Sequence, residues 1–593
     1  MPQRYRTPRD TPPIRWGRWL GAFGVLLVAL AAYAAWSAFQ VRDDLQAAQK
    51  SAGVVESALL RGDQSAADRA MQQFTQQADA AHARSDGPLW RIGEILPFVG
   101  DDATAVRLVA RAASEVGREA HRTLFSGSDV DLLHQLTPHD SRVDVAAVRR
   151  LEPTVSSLDG TLTSATTSLS DVHPADLTSW VRPSYEHFAD RLGTLQRAMA
   201  QADKAIPVLP EVLGADKPRT YLLRFNNNAE IRASGGMPGA WALVRADQGR
   251  ISMVRQGTAG DFPEFPSPVL PLTEAEKKIY DVHPGVYFQD TGFIPDFPRN
   301  ADLVHAMWNQ RFPDQHIDGV LEVDTVTLAY LLKATGPIQV PGGPALTSAN
   351  AVQELLNGTY QRIPDPAQQN VYFAAVADTV FKKLTTGGGS PSELLSALAS
   401  AANQGRVHVH LFDPALQRQI NGTAVAGQMD FSQSRNAQIG IYLNDATGSK
   451  MSYYLSSTMK TQAASCAQGV QTLRTSATFS EADLDPAKLD PSITGPGDYG
   501  TPKGEQLVLV RIYGPVGGTF GPFTFDGEET PVDLATDRGR PVAVTVVQLK
   551  PGQTVHVQWT TKTARGQAGD ATQQLTPDLT AKPYTTTIPT ACG

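Results

Sequence analysis

The stretch PRTYLLRFNNNAEIRASGGMPGAWALVRADQGRIS, residues 218–252, decides the fold of the central part of this chain. It opens with RTYLLRF at 219–225, whose apolar and aromatic residues are typical of a β-strand. Two further strand candidates, AWALVRA at 240–246 and RISMV at 250–254, flank Asp247-Gln248-Gly249. A short connection that contains Gly is typical of a hairpin turn. The stretch therefore predicts a strand followed by a β-hairpin.

Between the strand and the hairpin lies a polar segment that runs from Arg224 to Gly236. Consecutive Asn residues and a Gly pair favour turns and exposed loops, and binding residues concentrate on such loops. Arg232, followed by small residues, could present its guanidinium and neighbouring backbone N–H groups to a phosphate. We predict a substrate-binding loop here, and a purely structural turn is the alternative. Besides Arg232, its candidate residues are Arg224, Asn226, Asn227 and Asn228.

A second polar cluster, QDTGFIPDFPRNAD, occupies residues 289–302. Asp290 and Asp296 carry hard oxygen ligands of the kind that Mg²⁺ takes beside a phosphate. Arg299 could pair with that phosphate or with one of the acids. We therefore predict Asp290 and Asp296 as metal-binding and Arg299 as substrate-binding. The alternative is a loop whose charges cap a helix that begins near Asn300.

The sequence around and after this cluster alternates between strand and helix signals. IDGVLEV at 317–323 predicts a strand, and Asp324 is placed to cap a helix directly after it. RVHVHLF at 406–412 predicts another strand beyond several helical segments. Mixed strands and helices over this length predict an α/β or α+β domain at residues 211–435.

The last part of the chain, residues 436–593, is predicted to be β-rich. Thr, Val and Tyr recur there in short runs separated by Gly and Pro, a pattern that predicts a β-sandwich. This part holds the chain's two cysteines, Cys466 and Cys592. In an oxidising compartment we expect a disulfide between them, with two unpaired thiols as the alternative. Two cysteines are too few for a zinc site built on Cys pairs.

Near the N-terminus, residues 19–39 read WLGAFGVLLVALAAYAAWSAF and contain no charged residue. At about 1.5 Å per residue, a helix of this length crosses a hydrocarbon core of about 30 Å. Arginines predominate before the segment, so the positive-inside rule leaves residues 1–18 in the cytoplasm and the rest outside. We predict a single-pass anchor in the cell membrane, with the lipid bilayer as a partner. A cleaved signal peptide is the alternative, although its apolar core would be shorter.

Residues 40–210 are rich in Ala, Gln, Asp and Arg and poor in β-branched runs. Apolar residues such as Tyr185, Phe188 and Leu192 recur at steps of three and four, without a strict seven-residue repeat. This pattern predicts a membrane-proximal helical bundle or stalk. The predicted class is therefore multidomain α+β, with one N-terminal transmembrane helix.

Composition and missing motifs narrow the function. The chain has 593 residues, a net charge of -8 and a pI of about 5.9. A nucleic-acid binder shows a basic field instead, so we expect no nucleic-acid partner. The sequence contains no G-x-S-x-G elbow, P-loop, H-E-x-x-H or dinucleotide fingerprint. The absence of these motifs argues against the commonest classes of hydrolase and of nucleotide-binding protein.

Several segments together resemble the signature of the actinobacterial domain-of-unknown-function family numbered 4012. These are residues 218–252 and the segments TGFIPDFPRNADLVHAMW, IDGVLEVDTVTLAYLLKATGPI and NDATGSKMSYYL. The order of basic tail, anchor, helical region, signature domain and β-rich tail resembles that family too. The resemblance covers roughly residues 85–560, and it implies a cell-envelope protein without an established activity.

A more distant likeness connects the central domain to LytR-CpsA-Psr phosphotransferases. These single-pass envelope proteins move glycan polymers from polyprenyl-pyrophosphate carriers onto peptidoglycan or other wall acceptors. In this chain Arg232 precedes the hairpin and Arg255 follows it, in a similar arrangement. The likeness implies that Arg232 and Arg255 hold pyrophosphate and that Asp261 is a catalytic acid near Mg²⁺. The acid of the family's Arg-Ser-Asp motif is replaced by Gly235.

Two functions stay open on these grounds. The first is binding, or transfer to the cell wall, of a glycan carried on polyprenyl pyrophosphate. The second is a non-catalytic envelope scaffold or a glycan-binding or adhesion protein, which Gly235 and the large β-rich tail favour. An enzyme should bring Arg232, Arg255 and at least two of the three candidate acids to one groove.

Overall fold

The computed structural model describes residues 16–60, 63–125 and 138–592, without the side chains of residues 16–32, 34, 35, 60 and 89. The chain divides into two compact units. The first comprises Met1–Val130 and Pro153–Ala200, and the second comprises Asp131–Glu152 and Gln201–Gly593. Helices form the first unit and sheets dominate the second, so the predicted multidomain α+β class is confirmed. The finer division at 211–435 and 436–593 stays a prediction.

The first unit is built from long helices that run alongside one another. Ser51 of the first helix donates to Gln77 of the second at 2.8 Å, and Ser114 of the fourth donates to Asp79 at 2.6 Å. The helices, the last two of which extend into the second unit, are α1 Trp16–Leu60, α2 Gln64–Ser85, α3 Pro88–Gly93, α4 Gly100–Leu124, α5 Val145–Ser170 and α6 Arg182–Ala205. The predicted helical region is therefore confirmed.

Small residues allow the helices of this unit to pack closely. Ala105 and Ala112 of α4 are buried with Leu162 and Leu169 of α5 in one apolar cluster. A Cβ at Gly117 would lie 2.7 Å from the ring of Phe74 on α2, a separation that packed atoms do not adopt. The alanine-rich composition noted in the sequence is thus the means by which these helices approach each other.

The predicted anchor at residues 19–39 falls within α1. Most of its side chains lie outside the described residues, so the anchor itself stays a prediction. In the part of the chain that the structure describes, no helix combines the length and the apolar character needed to cross a membrane.

The second unit contains a mixed five-stranded sheet with the order β3-β2-β1-β4-β5. β1 runs parallel to β4, and the other neighbours are antiparallel. The predicted strand at 219–225 is β1, and the predicted hairpin is β2–β3. The bounds of the five strands are β1 Arg219–Asn227, β2 Met237–Asp247, β3 Arg250–Thr258, β4 Gly319–Asp324 and β5 Val407–Leu411.

One face of this sheet is covered by a helix, α10, which spans Phe297–Arg311. Because successive side chains of a strand point to opposite faces, Leu222, Arg224 and Asn226 of β1 share a face. Leu222 is buried with Met307 of α10 in the main core of the sheet. The shorter and longer helices of the second unit are α7 Leu209–Val212, α8 Glu274–Tyr280, α9 His283–Val286, α10, α11 Thr325–Thr335, α12 Ala351–Gln353, α13 Thr359–Arg362, α14 Pro366–Thr385, α15 Pro391–Asn403, α16 Pro414–Ile420 and α17 Pro491–Thr494.

Two further sheets make up the C-terminal part, with the orders β11-β10-β14-β8-β7 and β12-β13-β9-β6-β15-β16. Leu443 and Val510 of one sheet and Phe479 and Trp559 of the other are buried in a single core, as in a β-sandwich. The strands are β6 Gln438–Asp445, β7 Leu455–Ala467, β8 Val470–Glu481, β9 Gln506–Tyr513, β10 Thr519–Phe525, β11 Glu528–Glu529, β12 Asp533–Asp537, β13 Arg540–Leu549, β14 Thr554–Lys562, β15 Ala571–Leu575 and β16 Thr585–Ile588.

The expected disulfide is present. Cys466, near the end of β7, is bonded to Cys592, with their Cα atoms 5.0 Å apart and a sequence separation of 126. The bond ties the end of the chain to an edge strand of the sandwich, because β7 is the outermost strand of its sheet.

Candidate functional site

The polar segment after β1 is buried rather than exposed. Every residue from Asn228 to Gly236 is buried. Ile231 enters the core of the β-sandwich, and its carbonyl accepts a 2.8 Å hydrogen bond from the backbone N–H of Asp445. The prediction of an exposed loop is therefore wrong, because residues more than 200 positions away cover it.

Along β1 and β4, the polar side chains form a row beneath α10. Arg224 and Glu322 are register partners and form an ion pair, with side-chain exposures of 0% and 1%. Arg224 also donates to Thr291 and to Asn300, each at 2.8 Å. Asn226 donates to the same carboxylate of Glu322. A candidate substrate-binding arginine thus has its charge neutralised inside the protein.

The electrostatics of this row follow from its burial. Burial alone would raise the pKa of Glu322, but the Arg224 guanidinium and the neighbouring donors lower it below its ordinary value. His408 on β5 lies opposite Glu322 in the sheet, and burial lowers its pKa. The row therefore holds one ionised pair and one neutral imidazole near neutral pH.

At the end of the same row, Asp324 holds two elements together. Its carboxylate accepts from the backbone N–H of Thr327 at 2.8 Å and so caps α11, as the sequence predicts. It also accepts from Asn228 at 2.9 Å and from Arg406 at 2.7 Å. Arg406 then donates to the carbonyls of two residues beyond β15, Asp578 and Thr580, each at 2.7 Å.

A second buried pair lies next to Asn227. Glu230 accepts from Lys450 at 2.8 Å, and the ammonium of Lys450 lies 4.8 Å from the centre of the Tyr360 ring. Burial would lower the pKa of Lys450, yet Glu230 raises it above its ordinary value. Asn227 donates to the hydroxyl of Tyr360 at 2.7 Å. This pair again joins the segment after β1 to the C-terminal part.

Arg232, the principal candidate for phosphate binding, lies between two acids. Its guanidinium is 3.5 Å from Asp290 and 4.0 Å from Asp445, and it stacks over Phe293 at 4.9 Å. Burial raises the pKa of Asp445 to about 6. Asp290 also lies 3.6 Å from His283 and raises the pKa of that imidazole.

Arg255 and Asp261 occupy another place. Arg255 is exposed and stacks over Phe312 at 4.4 Å and Trp241 at 5.4 Å. Asp261 accepts from the backbone N–H of Thr258 at 2.7 Å and closes a capping box there. Neither forms a described contact with Arg232 or with the other candidate acids.

The predicted metal ligands do not form a pair. Asp296 lies 3.1 Å from Arg538 and accepts a hydrogen bond from the backbone N–H of Met429 at 3.1 Å. Asp290 instead forms an ion pair with Arg232. Among the described residues, no three side chains of His, Cys, Asp or Glu are grouped so that they could hold a metal ion. Two acids engaged by separate arginines do not fit a shared Mg²⁺.

Residues 289–302 include the start of a helix, as the capping alternative expected, but no charged side chain of the segment forms a cap hydrogen bond. Asp296 is the residue before α10, which begins at Phe297 rather than near Asn300, and its side chain makes no cap hydrogen bond. Arg299 pairs with Glu276 at 2.6 Å and donates to the carbonyl of Pro271. Arg299 therefore fixes α8 to α10 within the protein.

Sequence reasoning missed the partners that neutralise these groups. They are Glu322, Arg406, His408, Asp445, Lys450 and Arg538. For Glu322 and His408 a signal was available, because each alternates with apolar residues on a buried strand and so lies on the face that α10 covers. For Asp445, Lys450 and Arg538 the pairing depends on contacts that no local pattern reveals.

Two cavities lie elsewhere, in the β-rich part. One, of about 140 Å³, lies between β7 and the segment after β15 and is lined by residues that include Met459, Lys460 and Lys582. The other is open, measures about 610 Å³, and is lined by residues that include Arg435 and Asp570. Neither is lined by any site residue predicted from the sequence.

Comparison with known protein families matches the central region of the chain. Residues 216–360 match the family model described as "Protein of unknown function (DUF4012)". No curated protein and no solved structure matches the chain. The matched residues contain β1 to β4, α10, α11 and the polar segment that carries Arg224, Glu230 and Arg232. The central region of this chain is therefore similar to the DUF4012 family.

Proposed function

We propose that this protein is a non-catalytic scaffold of the cell envelope, held at the membrane by its N-terminal segment. One observation carries the proposal. Arg224, Glu230 and Arg232, which lie within the residues that match the family model, are buried and paired inside the protein. The pairs of Glu230 with Lys450 and of Arg232 with Asp445 join the segment after β1 to the C-terminal part. A group that is paired in this way contributes to rigidity and is not free to bind a substrate.

Catalysis of glycan transfer would need different geometry. Charge stabilisation at a departing diphosphate requires donors that face one accessible groove. Arg232 is 5% exposed and shared between Asp290 and Asp445, while Arg255 and Asp261 belong to another cluster. The likeness to LytR-CpsA-Psr phosphotransferases therefore supports a related location in the envelope more than a related reaction.

The proposed location has two supports. A disulfide between Cys466 and Cys592 is stable in an oxidising compartment outside the cytoplasm. The uncharged run at residues 19–39 has the length and the flanking arginines of an anchor with a cytoplasmic N-terminus. The lipid bilayer and the peptidoglycan of the wall are the partners that this location offers.

The scaffold and the transferase are separated by one assay. The full chain is incubated with a polyprenyl-pyrophosphate analogue and Mg²⁺, and phosphate release is measured. We expect no release above that of a heat-denatured sample. Release that Arg255→Ala abolishes would overturn the scaffold proposal. This variant is suitable because Arg255 is exposed, so its loss leaves the buried pairs intact.

A further inference from the structure

One end of the helical unit exposes an unusual number of large apolar side chains. The segment that connects α3 to α4 includes Ile95, which is 82% exposed, and Phe98, which is 94% exposed. Leu96 and Val99 of this segment are exposed too, as is Ile92 near the end of α3. Contiguous exposed apolar residues on a protein surface mark an interaction site.

The backbone at Phe98 adds to this observation. Its φ is 72°, in the left-handed region that bulky residues rarely adopt. The side chain that this conformation presents contacts almost nothing within the protein, since nearly all of it is exposed. The fold thus accepts an unfavourable conformation in order to place an aromatic ring outside.

Contacts with α1 show where the segment that connects α3 to α4 lies along the length of α1. The indole N–H of Trp90 donates to the hydroxyl of Ser37 at 3.0 Å, and Trp90 packs against Val41. Ser37 lies at the end of the uncharged run 19–39. On the same turns of α1, Trp36 and Phe39 are exposed. The apolar segment therefore lies beside α1 at the point where its uncharged part ends.

A second connection reaches the same end of the unit. Between α5 and α6, Thr178 donates through its backbone N–H at 3.0 Å and its hydroxyl at 2.6 Å to Asp102, in the first turn of α4. Two residues later, Trp180 is 86% exposed. Aromatic residues at the boundary of a bilayer are typical of membrane-contacting surfaces.

Charge does not oppose contact with lipid here. Glu94 is the single charged residue in residues 92–99, and it is paired with Arg107 of α4. Arg91, just before the segment, lies 3.3 Å from Asp86 and is largely exposed, as suits a residue at the level of lipid headgroups.

We propose that residues 92–99 and Trp180, here called the apolar end, insert into the outer leaflet of a lipid bilayer beside α1. The bilayer is the partner that the position favours, because the apolar end adjoins the predicted anchor, the apolar and uncharged run at residues 19–39. The proposal goes beyond the scaffold function and uses only its membrane location. Insertion at this depth would hold the helical unit at a fixed orientation to the membrane surface.

The test uses the full chain in vesicles of phosphatidylcholine and phosphatidylglycerol. Both native cysteines are in the disulfide, so Phe98→Cys supplies a unique thiol for an environment-sensitive fluorophore. The matched control is Val54→Cys, also exposed, which lies on α1 about 25 Å from Ser37 at 1.5 Å per residue. Flotation with the vesicles is measured first, and quenching by lipid-borne nitroxide and by aqueous iodide afterwards.

We expect the label at residue 98 to be quenched several-fold more by nitroxide lipid than the label at Val54→Cys, and to be shielded from iodide. Adding Ile95→Asp and Leu96→Asp should abolish the difference while the circular dichroism spectrum is unchanged. Equal access of iodide to both labels on a chain that floats overturns the insertion alone. A chain that does not float with vesicles overturns the membrane location of the scaffold as well.

Discussion

Removing one partner of the buried pair between Arg224 and Glu322 should destabilise the central sheet strongly. Arg224→Met keeps an unbranched apolar stem but removes the guanidinium, so the carboxylate of Glu322, 1% exposed, is left without its cation. An uncompensated buried charge of this kind costs about 3–5 kcal/mol. Thr291 and Asn300 lose a donor in addition. We therefore expect the free energy of opening of β1 and β4 to fall by at least about 3 kcal/mol.

The pH dependence of this effect has a definite sign. In the native protein the pKa of Glu322 is lowered, so the pair contributes stability above the ordinary pKa of Glu and loses it as the pH falls through the lowered value. In Arg224→Met, burial without the cation raises that pKa, so the loss of stability should shrink as the pH falls. The two proteins should therefore show opposite slopes of stability against pH in the acid range.

Hydrogen exchange measured by mass spectrometry is the suitable assay, because it reports the opening free energy of peptides from β1 and β4 separately from the rest of the chain. The matched control is the double variant Arg224→Met with Glu322→Gln, which removes both charges and keeps an amide beside Asn226. It should recover most of the lost protection. The reasoning is refuted if Arg224→Met lowers the opening free energy by less than about 1 kcal/mol. It is also refuted if the double variant is no better protected from exchange than Arg224→Met.

Three shorter predictions concern the β-rich part and the signature segment. Burial raises the pKa of Glu481 from 4.5 to about 7, so the free energy of unfolding falls as the pH rises between these two values. At about 1.4 kcal/mol per pKa unit, Glu481→Gln should raise the free energy of unfolding by up to about 3 kcal/mol at pH 8 and by little at pH 4, as measured in urea titrations. A gain of equal size at both pH values would contradict the assignment. Cys466→Ser should lower the stability of the sandwich by about 2–5 kcal/mol in thermal unfolding. Cys592→Ser should lower it by the same amount, because each variant removes the same disulfide. Unequal losses would contradict the assignment of the effect to the disulfide. A Cβ at Gly236 would lie 2.4 Å from the carbonyl oxygen of Asn227, so Gly236→Ala should cost about 1–3 kcal/mol in urea unfolding, and an unchanged midpoint would refute the close approach.

Local sequence patterns predicted the elements well where the deciding interactions are local. The strand at 219–225 and the hairpin after it are β1 to β3, and Asp324 caps α11 through a bond to a residue three positions away. The disulfide that was expected from the predicted compartment and from the presence of two cysteines is also present. In each case the physical cause lies in a few neighbouring residues or in composition.

The candidate site could not be predicted in the same way. Arg224 is neutralised by a residue 98 positions later, and the backbone of Ala233 is bound by Asn444, 211 positions later. A run of Asn, Arg and Gly has the same composition in an exposed loop as in a buried junction, since only the distant partner distinguishes them. The separation of Asp290 from Asp296 by two different arginines is likewise a property of the tertiary fold.

The buried ion pairs of Glu230 and Arg232 with the β-rich part also determine where the gene can be divided or recombined. A fragment that ends at residue 435 would retain Glu230 and Arg232 but discard Lys450 and Asp445, leaving buried charges without counter-ions. Exchange of residues 436–593 for the corresponding part of another protein would succeed only if the new part brought equivalent groups to the same positions. The β-rich part is therefore not an independent module. Residues 131–593 should be kept together in expression and recombination, because the second unit comprises Asp131–Glu152 as well as Gln201–Gly593.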